Sequence, residues 1–274
     1  MIISRSPYRI TLGGGGTDLP TFYKKHGGFV ISMALDKYIY VTLKPDTIEE
    51  QIKVRYLKTE IVDKLDSLKH DRAREALRKH GLHKSVEISS CGDVPGNTGH
   101  GSSGSYLVAL LNVIRYYTKQ NFSPTSLAEE AFSIEHNLLG HPVGKQDQYI
   151  AAHGGFKCFN FPANPEHNTA VKDVNISASN TLALINNLHI YYLKKKRNAS
   201  SILKEQNSNN PSNEEKLLKV KEMGYKTIDF LESGNFDDYG LLLDEYWSLK
   251  KQFSEKMSFS FADEIYSELK SRFG

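Results

Sequence analysis

The chain has 274 residues, of which 39% are hydrophobic and 24% charged, ordinary values for a globular protein. A chain of this length can bury a large core, either as one compact unit or as two lobes. Its 35 basic and 32 acidic residues give a net charge of +3, too small a surplus to indicate a nucleic-acid-binding protein. The sequence contains neither an apolar signal segment nor a membrane-spanning apolar run, so we expect a cytoplasmic protein without membrane contact.

The first part of the chain is predicted to be rich in strands. Residues 1–12, 28–44 and 52–57 have the alternating pattern of strands. The charged segment 60–80 carries apolar residues at helical spacing, and we predict an amphipathic helix that ends at Gly81.

The rest of the chain is predicted to be mainly helical, with one block of strands. The predicted helices are 103–118, 124–139, 144–153, 198–207, 213–232, 236–253 and 262–272, and the predicted strands are 156–161, 170–175 and 181–194. Residues 207–213 form a polar segment that we predict to be a mobile connector. We place a domain boundary near residue 178, giving domains 1–178 and 179–274.

The two cysteines, Cys91 and Cys158, do not form a disulfide framework or a zinc ligand set. Each lies in a predicted strand, so we expect both to be reduced and to serve as small buried hydrophobic residues.

A glycine-rich loop that leads into an apolar helix is the most informative segment. Residues 95–105 read PGNTGHGSSGS, and the apolar run 106–114 follows at once. A glycine loop at a helix N-terminus directs free N–H groups and the positive end of the helix dipole to one point, which favours phosphate binding. The Ser102 and Ser103 hydroxyls can add hydrogen bonds or a magnesium ligand. A flexible Gly/Ser linker is the alternative, although the strand before the loop and the helix after it argue against one.

Three other nucleotide-binding loops fit this segment poorly. A dinucleotide fold needs a second strand after the helix, whereas here Ser123 and Pro124 start another helix. A Walker loop ends in Gly-Lys-Ser/Thr, and residues 104–106 read Gly-Ser-Tyr. The Val-Ala-Ile-Lys and His-Arg-Asp signatures of protein kinases are absent from the sequence.

Three ordered segments resemble motifs of the galactokinase, homoserine kinase, mevalonate kinase and phosphomevalonate kinase (GHMP) superfamily. Residues 95–105 are similar to its second motif, and SPYRITLGGGGTDLP at 6–20 resembles its first motif in the sugar-kinase form. Residues 135–148 resemble the segment that carries a magnesium-binding glutamate and the catalytic aspartate. Together with residues 199–206, these segments are most similar to the branch that phosphorylates D-glycero-D-manno-heptose 7-phosphate.

This resemblance implies an α+β, two-lobed fold, with an N-terminal lobe like ribosomal protein S5 and a ferredoxin-like C-terminal lobe. The family's third motif is a glycine-rich stretch that would follow the last predicted helix, but the sequence stops at Gly274. We therefore expect domain 179–274 to be incomplete, with an exposed sheet edge and weak activity.

The resemblance also implies an ATP- and magnesium-dependent kinase. Its expected reaction is phosphorylation of the anomeric hydroxyl of D-glycero-D-manno-heptose 7-phosphate to the 1,7-bisphosphate, for nucleotide-activated heptose and surface polysaccharide synthesis. One alternative is a kinase for a neutral sugar similar to fucose or galactose. Another is a nucleotide- or sugar-binding protein with impaired catalysis. The expected partners are ATP and a small sugar phosphate, with a homodimer as the candidate assembly.

By resemblance, each site residue receives a role. Catalysis is assigned to Asp147 and Arg9, and magnesium binding to Ser103 and Glu135. The residues assigned to nucleotide binding are Pro95, Gly99, Gly101, Ser102, Ser103, Gly104 and Ser105. The residues assigned to binding of the sugar phosphate are Gly15, Gly16, Thr17, Asp18, Lys145, Gln146 and Arg197.

Local sequence leaves alternatives open at several of these positions. Asp147 also suits a helix first turn and Asp18 an N-cap, while Arg197 ends a basic run typical of a solvated surface. Glu135 lies about 80° from the centre of a predicted apolar stripe, at the edge of the core, where it is either a metal ligand or a solvated flank. That stripe consists of Leu127, Ala131, Ile134 and Leu138. His100 replaces the leucine usual in this branch, and its role stays open.

Overall fold

The computed structural model describes residues 1–96, 98–193 and 211–273, which form an α+β structure with one mixed sheet. The strands are β1 Ile2–Gly13, β2 Gly28–Pro45, β3 Ile52–Arg55, β4 Thr59–Val62, β5 Val86–Gly92, β6 Phe156–Phe161 and β7 Ala170–Asp173. The helices are α1 Pro20–His26, α2 Asp71–Lys79, α3 Ser102–Tyr117, α4 Pro124–Phe132, α5 Gln146–His153, α6 Ala178–Asn187, α7 Pro211–Ser233, α8 Phe236–Lys251 and α9 Ser260–Phe273. A π-helical segment, Ser133–Leu138, continues α4, and two 3₁₀ turns lie at Leu65–Ser67 and Glu255–Met257.

The strand order in the sheet is β4-β3-β5-β2-β6-β7, and β1 pairs with β2. β5 lies parallel to β3 and antiparallel to β2, with Val86 opposite both Ile52 and Pro45. β3 and β4 form an antiparallel hairpin. Mixed pairing of this kind is common where helices cover a sheet that also contains hairpins.

The chain divides into two compact units, each assembled from separate segments. Unit 1 contains residues 1–11, 32–159 and 171–173, and unit 2 contains residues 12–31, 160–170 and 174–274.

The core of unit 1 is built around α3. This helix is apolar on nearly every side and is buried along most of its length, as expected of a helix inside a core. Its fully buried residues pack with apolar side chains of the sheet and of α2, α4 and α5. Because α3 begins at the glycine loop, this packing fixes the position of the loop.

Unit 2 contains a smaller core between α1 and the C-terminal helices. Phe22 of α1 packs with Leu217, Val220 and Phe253. Phe29 stacks on Tyr225 of α7, with ring centroids 4.3 Å apart. Among the described helices, none is both long and apolar enough to cross a membrane.

The helix predicted over 60–80 is wrong in its first half. Residues 59–62 form β4, which pairs with β3, and α2 begins only at Asp71. The hairpin pairing of Thr59–Val62 overrides the helical spacing of the charged segment, which the sequence pattern alone does not reveal. His70 then caps α2, since its ring nitrogen Nδ1 accepts a hydrogen bond from the Ala73 N–H.

The strand predicted over 181–194 is also wrong, because residues 178–187 form α6. The Ser177 hydroxyl accepts a hydrogen bond from the Asn180 N–H and provides the helix N-cap. Leu184 is the buried apolar residue of this helix. The predicted helix 198–207 lies outside the described residues, as does most of the predicted connector 207–213, whose residues 211–213 begin α7.

The burial expected for the cysteines is correct for one of the two. Cys158 is buried in β6, whereas Cys91 is exposed near the end of β5. The pleat alternates the two faces of a strand, so a strand assignment alone does not say which side chain is covered.

Candidate active site

Strand β1 and helix α5 bring Arg9 into contact with Asp147 in unit 1. The Arg9 Nε donates a hydrogen bond of 2.7 Å to Asp147 Oδ1, and a terminal guanidinium nitrogen lies 2.5 Å from the same oxygen. The Arg9 side chain is 13% exposed and that of Asp147 25%, so both face a partly covered site. Charge-assisted hydrogen bonds of this kind are short and directional. The pair therefore orients the carboxylate while leaving part of it accessible.

Arg9 also holds the glycine loop in front of α3. Its guanidinium donates to the Gly99 carbonyl at 2.8 Å, and its backbone N–H donates to the His100 carbonyl at 3.2 Å. Gly99 and Gly101 have φ angles of +84° and +75°, a region that favours glycine. Gly101 is the N-cap of α3, and the loop thus delivers the helix N-terminus to the same place as Asp147.

Two glycines allow α3 and α5 to approach each other at Asp147. A Cβ atom added to Gly101 would lie 3.2 Å from the Asp147 carboxyl carbon. A Cβ atom added to Gly104 would lie 2.9 Å from the Asp147 Cβ and 3.1 Å from its carbonyl carbon. The N-termini of both helices, each carrying partial positive charge, therefore lie beside one another. This arrangement favours binding of a polyanion.

The loop serines differ in their surroundings. Ser105 is buried, and its hydroxyl donates to the Pro7 carbonyl at 2.7 Å, which ties α3 to β1. Ser102 and Ser103 are half-buried in the first turn of α3. Pro95 contributes its carbonyl, which accepts a hydrogen bond from the Thr98 hydroxyl at 3.2 Å. The resemblance placed Pro95, Ser102, Ser103 and Ser105 at the nucleotide.

His100 lies at the edge of this arrangement. Its ring nitrogen Nδ1 is 3.1 Å from the Thr98 hydroxyl. Burial, followed by the nearby positive charge of Arg9, lowers the pKa of His100, so the neutral ring is favoured near neutral pH.

Lys145 and Gln146, assigned to the substrate, lie immediately before Asp147 and have protein partners. The Lys145 Nζ donates to both carboxylate oxygens of Glu129, at 2.7 and 2.9 Å. The Gln146 Oε1 accepts a hydrogen bond of 2.9 Å from the Thr11 hydroxyl. Thr11 and Arg9 are alternate residues of β1, so one face of that strand contacts two successive residues at the start of α5.

Glu135 is not at the edge of the core, as its helical phase predicted, but completely buried. Its Oε1 accepts a hydrogen bond from the Arg72 Nε at 2.8 Å, and its Oε2 accepts one from the Gln148 Nε2 at 2.7 Å. The predicted stripe residue Leu138 is instead 56% exposed. The physical reason is the π-helical segment Ser133–Leu138, whose wider turn shifts side chains away from the 3.6-residue phase.

The surroundings of Glu135 do not match an open magnesium site. Magnesium prefers oxygen ligands that leave room for several waters, but both oxygens of this carboxylate are engaged and inaccessible to solvent. Within the described residues, His, Cys, Asp and Glu side chains do not form a group of three that could hold a metal ion. The positive partner of Glu135 in this structure is the Arg72 guanidinium, which sequence reasoning missed because its segment contains many charged residues.

The glycine loop of the first motif lies in unit 2 and is held by Thr17. This residue is fully buried, and its hydroxyl lies 2.8 Å from both the Gly14 and Phe29 carbonyls and 3.0 Å from the Phe29 N–H. Asp18 is 2% exposed, and its Oδ1 accepts a hydrogen bond from the Gly16 N–H at 3.1 Å. The N-cap of α1 is Leu19, so the N-cap alternative for Asp18 is wrong: its carboxylate turns back to the loop.

The structure therefore brings together Arg9, Asp147 and the loop Gly99–Ser105 in unit 1, and Gly15, Gly16, Thr17 and Asp18 in unit 2. Arg197, a predicted sugar-phosphate ligand, lies outside the described residues.

The close approach at Gly104 leads to a stability prediction. We expect Gly104→Ala to lower the free energy of unfolding by about 1–3 kcal/mol, because the new methyl group overlaps the Asp147 backbone. Urea denaturation measures the change. Gly96→Ala is the matched control, since a Cβ there meets nothing within 4 Å. Equal stability of the two variants would contradict the close packing of α3 on α5.

The burial of Glu135 leads to a second prediction. We expect Glu135→Gln to destabilise the protein by about 3 kcal/mol in urea denaturation without magnesium, because Arg72 loses its closer and buried ion-pair partner and keeps only the Asp71 carboxylate at 3.5 Å. Glu222→Gln, on the exposed surface of α7, is the control. A loss of stability that occurs only when magnesium and nucleotide are present would show that Glu135 is a metal ligand instead.

The chain resembles known proteins in sequence and in fold. Residues 69–155 match the model of the GHMP kinases N terminal domain. The chain is 28% identical over 284 residues to D-glycero-alpha-D-manno-heptose 7-phosphate kinase of Campylobacter jejuni, covering 97% of this chain and 81% of the relative.

Two solved structures show the same fold. A D-glycero-D-manno-heptose 1-phosphate kinase from Bacteroides thetaiotaomicron gives a TM-score of 0.77 at 23% identity, covering 92% of this chain and 80% of the other. Streptococcus pneumoniae phosphomevalonate kinase, solved in complex with phosphomevalonate and AMPPNP, gives 0.72 at 14% identity, covering 93% and 81%. Residues 69–155 are therefore similar to the GHMP kinases N terminal domain, and the chain has the α+β fold of these two solved structures.

Proposed function

We propose that the protein is an ATP-dependent sugar-phosphate kinase that phosphorylates the anomeric hydroxyl of D-glycero-D-manno-heptose 7-phosphate to give the 1,7-bisphosphate. The observation that carries the proposal is the Arg9–Asp147 pair beside the glycine loop of α3. A carboxylate next to a polyanion site is what transfer of a phosphoryl group to a hydroxyl requires.

The α3 N-terminus supplies the phosphate site. The glycines of the loop Gly99–Ser105 have no Cβ atoms that would keep a ligand away from the backbone N–H groups. The dipoles of α3 and α5 add positive charge at the same place. The Arg9 guanidinium, already bonded to the Gly99 carbonyl, contributes a full charge at the same place. ATP is the proposed phosphoryl donor; one of the structural relatives was solved with AMPPNP.

Asp147 is the proposed acceptor of the hydroxyl proton. The sugar oxygen forms a bond to the γ-phosphorus, the bond from that phosphorus to the leaving ADP breaks, and the hydroxyl proton passes to the Asp147 carboxylate. Because Arg9 binds Oδ1, we assign Oδ2 as the carboxylate atom that accepts the proton. Magnesium remains the proposed companion of ATP, but these events do not depend on a metal ion at Glu135.

The choice of acceptor rests on the relatives. The Campylobacter jejuni relative is named for a heptose 7-phosphate, and its match covers 97% of this chain and 81% of the relative, while the Bacteroides structure is named for a heptose 1-phosphate. Both names contain a phosphorylated heptose. We assign the sugar to the loop Gly15–Asp18, because its glycines have no side chains that would keep a ligand away from the backbone.

A panel of acceptors tests the function. The protein is incubated with ATP and magnesium, and ADP release is measured with heptose 7-phosphate, heptose 1-phosphate, other sugar phosphates and the matching neutral sugars. We expect the highest kcat/KM with heptose 7-phosphate and a bisphosphate product. Preference for galactose or fucose would favour a neutral-sugar kinase, and ATP binding without turnover on any acceptor would indicate a binding protein.

The role of Asp147 gives a separate prediction. We expect Asp147→Asn to lower kcat by two or more orders of magnitude while changing nucleotide affinity only a few-fold, since the glycine loop binds the nucleotide. Asp229→Asn, on the exposed surface of α7, is the control. Near-normal turnover of Asp147→Asn would refute the catalytic assignment, and a large loss of ATP affinity would make Asp147 a metal ligand.

A further inference from the structure

The glycine loop in unit 2 depends on outside groups for its shape. Residues 13–16 are four successive glycines, and Gly14 and Gly16 have φ angles of +75° and +98°. Glycines sample a wide range of backbone conformations and have no side chains with which to restrict one another. Groups that bind the loop backbone therefore decide which conformation a sugar meets.

One face of α8 provides three such groups. The Tyr239 hydroxyl donates to the Leu12 carbonyl at 3.0 Å, the Tyr246 hydroxyl to the Gly15 carbonyl at 3.3 Å, and the Lys250 Nζ to the same Gly15 carbonyl at 2.6 Å. At 100° per residue, positions 239, 246 and 250 fall within about 40° of each other around the helix. All of these residues belong to unit 2. The bonds thus form a row along the start of the loop.

Helix α7 covers another part of the loop. A Cβ atom added to Gly13 would lie 2.8 Å from the Thr227 hydroxyl, and one added to Gly224 would lie 3.3 Å from the Gly14 Cα. At 2.8 Å a neighbouring atom would have to shift, and at 3.3 Å the neighbour would have to give by a few tenths of an ångström. The loop therefore rests against α7, while α8 binds its carbonyl oxygens.

Lys250 is the charged member of the row. It is half-buried, with its Nζ 5.3 Å from the Tyr246 ring centroid and 5.4 Å from that of Phe253. Burial lowers the pKa of Lys250 to about 8, partly offset by the negative charge of Asp18. The titratable groups described as facing it are Asp18, before α1, and Tyr246, on its own helix. Lys250 therefore carries its charge at neutral pH and loses it in mildly alkaline solution.

We propose that Lys250 is a positioning residue for acceptor recognition, which, with the two tyrosines of α8, holds the loop Leu12–Gly16 in the conformation that receives the sugar. The assignment deepens the proposed function and rests on it, because the sugar is placed at this loop. The ammonium bond to Gly15 is the strongest restraint of the row, since a charged donor binds a carbonyl more tightly than a neutral one. Lys250 acts on the sugar through Gly15 and Asp18 rather than on the transferred phosphoryl group.

The kinetic test compares Lys250→Met with Lys250→Arg, using heptose 7-phosphate and ATP as substrates. We expect Lys250→Met to raise the acceptor KM about five- to tenfold while the ATP KM changes less than twofold, and Lys250→Arg to recover most of the loss. In the unmodified protein the acceptor KM should rise as pH passes through about 8, where Lys250 loses its proton. In Lys250→Arg this rise should disappear, because guanidinium does not titrate there.

A second measurement needs no substrate. Hydrogen–deuterium exchange of the amides of residues 12–19 should be faster in Lys250→Met, and near the unmodified rate in Lys250→Arg. Lys219→Met, on the exposed face of α7, is the matched control and should change neither exchange nor KM. Should Lys250→Met fold poorly, Tyr246→Phe removes a single donor to Gly15 and should give a smaller change in the same direction.

The two measurements separate this proposal from the proposed function. Unchanged loop exchange and acceptor KM in Lys250→Met would overturn the role of Lys250. So would an acceptor KM with the same alkaline rise in Lys250→Arg. If the unmodified protein phosphorylates no sugar, the proposed function fails, and the role of Lys250 in acceptor recognition falls with it. In that event, faster exchange in Lys250→Met would still show that Lys250 restrains the loop.

Discussion

The contact between Arg9 and Asp147 connects the other features of the site in unit 1. A buried or half-buried carboxylate needs a positive partner, and the guanidinium supplies one at 2.7 Å. The same guanidinium reaches the Gly99 carbonyl, so one side chain sets the positions of the glycine loop Gly99–Ser105 and of the carboxylate. Gly101 and Gly104 make this possible, because any Cβ at Gly104 would push α5 away. The close approach at Gly101 and Gly104, the charge of Arg9 and the N-termini of α3 and α5 therefore define the site together.

A second charged pair, Arg72 and Glu135, stabilises the position of α5. Arg72 and Gln148 bind the two oxygens of Glu135, which links α2, the π-helical segment and α5. Gln148 follows Asp147 in the chain, so the interactions of Glu135 also fix the first turn of α5. Breaking a buried pair of this kind is costly, and Arg72 would keep only the more distant Asp71 carboxylate at 3.5 Å. In this structure Glu135 therefore acts as an anchor for the helix that carries Asp147.

The parts of the fold that the sequence predicted are those set by local pattern. The glycine loop and the apolar run after it predict α3 correctly, because both the φ requirements of the glycines and the burial of the helix can be recognised in adjacent residues. Residues 60–62 and 181–187 were assigned to the wrong element, since strand pairing in one case and a serine N-cap in the other decided the outcome. The depth of Glu135 was missed because a π turn changes the helical phase without a clear sequence signal.

Long-range contacts are the features that local sequence patterns do not predict. Arg9 and Asp147 are 138 residues apart, and Lys250 is 235 residues from Gly15. The resemblance suggested the first contact, because it assigns both residues to one site. The resemblance gives no role to Lys250, and a lysine in a helix is a common surface residue. Only the fold shows that it binds the glycine loop.

The most direct test of this account is a double-mutant cycle on kcat with Arg9→Met, Asp147→Asn and the double variant. If Arg9 acts by orienting Asp147, the second substitution should add little to the first, and the two effects should be coupled by about ten- to a hundredfold. Losses in the two single variants that simply multiply in the double variant would contradict the account. They would mean that the two side chains contribute independently, and that their contact does not organise the site.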